Sequence, residues 1–209
     1  NLAYEANQVI TNSSGLPRNN ITTAEISEFL FELSVQNKNY KNAELYLKGI
    51  TEIKSDLMGE EAPEVHLAKV HLANFYLDYT NNISEAGKIY AASFTNVVEK
   101  QIDASHKDHL DILNHLAVYY ELTDKYDEAI ATLDKASDVA RSKYSDTDYQ
   151  YGAELTNIAR LQIKLGQYEK AEQNINQSLK ILEEFKKDEG KQGYLVNAIE
   201  TGATLFGIQ

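Results

Sequence analysis

The sequence predicts an all-α chain of antiparallel helical hairpins, stacked into a right-handed superhelical array. Three observations predict it. Alanines three places after an aromatic or aliphatic residue recur at Ala43, Ala86, Ala129 and Ala171, after Tyr40, Ile83, Tyr126 and Tyr168, at intervals of 43, 43 and 42 residues. Apolar residues around them keep helical spacing. With 2 Pro and 10 Gly in 209 residues, and neither Asn-Gly nor Asp-Gly, the chain has room for long helices and little for β-hairpins. A fixed period of this size is the mark of a repeat architecture.

In chain order, residues 1–21 are expected to hold the tail of an earlier helix, Leu2 to Ile10, and a loop. Four repeats follow at about 22–64, 65–108, 109–150 and 151–194, and 195–209 supply the first helix of a fifth, incomplete one. The chain thus reads as beginning and ending within a repeat. Each first helix carries an apolar face at i, i+3, i+4, i+7. It reads Ile26, Phe29, Leu30, Leu33 in the first copy, and Leu72, Ala73, Tyr76 behind Lys69 in the second. The third has Leu113, Leu116, Ala117, Tyr120; the fourth has Leu155, Ile158, Ala159 with Gln162 in the last place; the fifth has Ile199, Gly202, Ala203, Phe206. Second helices carry Ala43, Leu47, Ile50, then Ala86, Tyr90, Ser93, Val97, then Ala129, Leu133, Ala136, Ala140, then Ala171, Ile175, Ser178, Leu182. One apolar face per helix describes amphipathic helices packed in pairs. Small residues such as Ala117 and Ala129 let two axes approach to about 8–10 Å. The turns Thr123-Asp124-Lys125 and Leu165-Gly166-Gln167 are short enough to force antiparallel neighbours. Pro63 fits a first helical turn, and Ser145 with Asp148, or Thr22 with Glu25, fits a helix start.

The net charge of −12, from 32 acidic against 20 basic residues, repels a polyanion, so nucleic acid is not an expected partner. The absence of Cys excludes disulfides, thiol catalysis and thiolate zinc sites. No run approaches the ~18 apolar residues of a membrane span. The expectation is a soluble chain whose compartment the sequence leaves open, with the cytoplasm favoured. The Asn-x-Ser/Thr triplets at Asn12, Asn20, Asn82 and Asn176 are of chance frequency.

No phosphate loop, nucleophile elbow or zinc-protease motif is present, so no catalytic residue and no cofactor are expected. His106 and His109 with Asp103, Asp108 and Asp111 have the chemistry of a divalent site. They fall at an inter-repeat junction where polar residues belong, and no metal is expected there. Asp146, Asp148 and Gln150 resemble the start of a calcium loop, but the glycine is displaced to Gly152 and Asn157 replaces the closing carboxylate. That segment reads as a linker with a capping role. Tyr76, Tyr120, Tyr126 and Tyr168 stand at repeat-defining places and read as packing residues.

The segments LAVYYELTDKYDEA (116–129) and IARLQIKLGQYEKA (158–171) resemble tetratricopeptide repeats, with a large-small pair and Tyr in the first helix and Ala in the second. The usual period is about 34 residues. The longer form here resembles the kinesin light chain subclass, as do the linkers at 61–65 and 145–149. The resemblance implies a protein-interaction scaffold whose first helices line a concave wall that holds a peptide or helix of a partner. Carried onto this chain, the wall comprises His71, Asn74, Asn114, His115, Asn157, Arg160 and Lys164. Repeats of this subclass often carry Asn where Asn114 and Asn157 stand. Such side chains donate to and accept from a peptide backbone at once, and Arg160 and Lys164 suit a carboxylate. The Lys/Asn clamp of chaperone-binding members is not reproduced. Two other roles fit the same sequence: a regulatory or spacer segment of a larger enzyme or signalling protein, and a self-assembly module pairing through open ends such as Ile199, Ala203 and Phe206.

Overall fold

The structure, a computed structural model, describes residues 21–93 and 108–207, and every regular element among them is helical. The expected helix tail and loop before Ile21, together with Val97, Asp103 and His106, lie outside the described residues. Two compact units divide the chain, residues 1–102 and 103–209. The first holds α1 (Ile21–Gln36), α2 (Tyr40–Met58), α3 (Pro63–Phe75) and α4 (Ile83–Ser93). The second holds α5 (His109–Leu122), α6 (Tyr126–Lys143), α7 (Tyr149–Lys164), α8 (Tyr168–Leu182) and α9 (Gln192–Phe206). Within the first unit each helix packs on the next. Within the second, α5 packs on α6, α6 on α7, α7 on α8, and α9 covers both α7 and α8. No helix among the described residues is long and apolar enough to cross a membrane.

The turn inside each hairpin is set by one residue in the left-handed region. These are Lys38, Asn81, Asp124 and Gly166, with φ of 56, 53, 59 and 70°. They recur with the period of the alanines, each two places before Tyr40, Ile83, Tyr126 or Tyr168. The amides of Asn39, Lys125 and Gln167 then donate back to the carbonyls of Ser34, Tyr120 and Gln162, each at 2.8 Å, closing a Schellman-type end. Only Gly166 adopts this conformation without steric cost.

The second hairpin carries one residue more between Ala73 and Ala86 than the third carries between Ala117 and Ala129. A single π-turn, Tyr76–Thr80, absorbs it, and the amide of Asn82 reaches back to the Tyr76 carbonyl at 3.0 Å. In the first hairpin no such turn occurs. Counting back from Lys38, Phe31 rather than Leu30 occupies the place of Ala117 and Ala159, its ring edge-on to Phe75 at 6.0 Å.

Helix starts are capped locally. Asn39 Oδ1 accepts from the Asn42 amide at 3.3 Å and Asn82 Oδ1 from the Glu85 amide at 3.4 Å. Pro63 is the first residue of α3, where its missing N–H has no partner to lose. At α7 the cap is Asp148, whose Oδ1 accepts from the Gln150 amide at 2.9 Å. Ser145 instead accepts from the Thr147 amide within the linker, and Thr22 lies inside α1 rather than ahead of it.

The core follows the apolar stripes. Ala43, Ala86, Ala129 and Ala171 have no exposed surface, and Leu47, Ile50, Tyr90, Leu133, Ile175 and Leu182 are buried beside them. Among the polar members of the stripes, Gln162 and Ser178 are buried with partners, while Ser93 Oγ is buried without one. Gln162 accepts from Asn174 Nδ2 at 2.9 Å, and Ser178 Oγ donates to the Gly152 carbonyl at 2.7 Å while meeting Thr156 Oγ1 at 2.6 Å. A Cβ on Gly152 would lie 3.0 Å from Leu182 Cγ, so the first turn of α7 lies close against the end of α8. Phe29, Ile199 and Phe206 depart from their stripes and stand 49%, 53% and 54% exposed.

Enlarging an alanine at a crossing is expected to destabilise the protein. Ala171→Leu should cost about 1–3 kcal/mol in denaturant unfolding. The exposed Val196→Ala change in the same unit should stay within about 0.5 kcal/mol.

Candidate functional site

The polar face expected on the first helices divides between the two units. In the first, Val70 is fully buried, which leaves the half-buried His71 as the polar member of that pair on α3. Asn74 does not face a groove. It is 6% exposed, and its Oδ1 accepts from Tyr90 Oη at 2.7 Å, tying α3 to α4. A buried amide held this way serves packing, which corrects its expected place on the wall.

In the second unit the expected residues come together between α5 and α7. Asn114 Nδ2 donates to Glu154 Oε1 at 2.8 Å. Further along, Glu121 of α5 receives both Arg160 and Lys164 of α7 on its Oε1. Lys164 Nζ also stands 5.8 Å from the centre of the Tyr126 ring. Asn157 lies between these two cross-links. His115 turns to its own helix, with Nδ1 at 2.8 Å from the Asp111 carbonyl.

Two cavities open along this face and share Asn114 and Asn157. One, of about 60 Å³, is lined by Val118, Glu121, Leu133 and Arg160 as well. The other, of about 250 Å³, extends to Asp111 on α5, Tyr144 at the end of α6, Glu154 on α7 and Tyr194 on α9. The same stretch of wall therefore offers a charged end and a larger recess.

The electrostatics of the two ends differ. Burial pushes the Glu154 carboxyl up to about 7, opposed in part by the amides of Asn114 and Asn157. Its Oε2 accepts no hydrogen bond, and neither does Oδ1 of Asn114, although both atoms are buried. Burial also acts against the charged form of Glu121, but hydrogen bonds from Arg160 and then Lys164 outweigh it and hold this carboxyl below the usual range.

Glu154, Glu121, Tyr144 and Tyr194 are not among the residues expected from sequence. Glu154 has a legible signal, because it stands three residues before Asn157, which is three before Arg160, on one face of α7. Tyr194 has none; only the packing of α9 on α7 brings it to the recess. Among the described residues no group of three His, Asp or Glu side chains is placed to hold a metal ion. Asp148 caps a helix, and Asp103 and His106 lie outside the described residues.

Residues 108–184 match the tetratricopeptide repeat family. No curated protein matches the sequence. Among solved structures, that of BtubC (BKLC) from P. vanneervenii aligns over 99% of this chain and 83% of its own, with 15% identity and a TM-score of 0.76. The nearly identical TPR-like repeats of a Podosopora anserina protein assigned as a kinesin light chain align in two forms. One, a glutamine-to-methionine variant, covers 89% of this chain and 87% of its own at 17% identity and a TM-score of 0.71. The other covers 90% and 87% at 18% identity and a TM-score of 0.69. At these identities the likeness establishes the fold, that of tetratricopeptide-type hairpins.

The raised pKa of Glu154 makes stability fall with pH. The folded protein holds this proton more tightly than the unfolded chain, so stability is lost as pH rises from the ordinary carboxyl range through about 7. Glu154→Gln keeps the acceptor for Asn114 and removes the buried charge. It is expected to match the parent at pH 5 and to be more stable by on the order of 1–3 kcal/mol at pH 8. Urea unfolding at the two pH values measures this.

Proposed function

We propose that this chain, whose residues 108–184 match the tetratricopeptide repeat family, is a protein-interaction scaffold that docks a peptide segment of a partner along the face between α5 and α7. Tetratricopeptide repeats are in general protein-interaction modules. The observation that supports the finer reading is the pair of adjoining cavities sharing Asn114 and Asn157. An extended peptide presents alternating N–H and C=O groups, and the partly exposed amide of Asn157 carries both a donor and an acceptor to meet them, while Asn114 is held against Glu154. Arg160 and Lys164, gathered by Glu121, supply positive charge at one end for a peptide carboxylate. His115 adds to the polar surface of α5, as His71 does to that of α3 in the other unit. A mixed polar groove of this kind binds with weak to moderate affinity, because desolvating its polar groups offsets much of the gain.

A second reading, self-association, draws on α9. Val196, Ile199 and Phe206 share one face of that helix and are each about half exposed. A chain that stays monomeric at high concentration in sedimentation equilibrium rejects it.

For the docking face, the full chain is panned against a displayed library of random peptides. Asn157→Ala and Arg160→Ala are each expected to weaken the selected peptides by roughly tenfold. The melting temperature should move by less than about 4 °C, since both side chains are partly exposed. Unaltered binding in both variants rejects the face.

A further inference from the structure

We draw no further inference here: the strongest candidate, the outer apolar face of α9 formed by the half-exposed Val196, Ile199 and Phe206, carries nothing more because nothing in the structure shows what covers it.

Discussion

The close crossing of paired helices at a fully buried alanine is the constraint on which the rest depends. Ala43, Ala86, Ala129 and Ala171 sit where any larger side chain would push two axes apart. In the second unit the consequences spread. Ala117, Ala129 and Leu133 pack with Ile158 and Leu161 of α7 in one cluster, while Ala159 of the same helix packs with Ala171, Ile175, Leu182 and Ala198 in the next. One helix thus seals two neighbours. A shift of α7 would be felt on both sides, and with it the register of Asn157 and Arg160 against α5.

Local chain chemistry absorbs what the packing cannot vary. The hairpin turns place Lys38, Asn81 and Asp124 in a conformation that costs L-residues about 1–2 kcal/mol. The backbone hydrogen bonds that close each helix end offset that cost. In the second hairpin the mismatch of one residue is taken up by widening a single turn of the first helix, leaving Ala73 and Ala86 in their buried places. The alanine contacts are preserved and the backbone gives way, which ranks the two demands.

The candidate site draws its character from the same packing. Because α5 and α7 lie side by side, residues 39 and 43 positions apart meet at Glu121. The result is a wall with opposed ends: one carboxylate saturated by two cations, the other buried and half-satisfied. A group held at such cost in a recess is a common sign of function, since stability alone would favour an apolar or amide side chain there.

Periodicity is a property of the chain itself, so the helix faces, the hairpin turns at 123–125 and 165–167, and the buried alanines were legible in the sequence. Each depends on residues within a few places of one another. The polar residues were legible only as a face. Whether a polar side chain on that face is exposed, paired or buried is decided by groups on neighbouring helices, as far as forty residues away. Asn74 went to the core because Tyr90 reaches it, Phe31 took the small-residue place because the Lys38 turn sets the register, and Glu154 became the centre of the recess because Asn114 and Tyr194 are packed around it. Spacing along one helix carries no information about what the neighbouring helix presents, and only the tertiary packing supplies it.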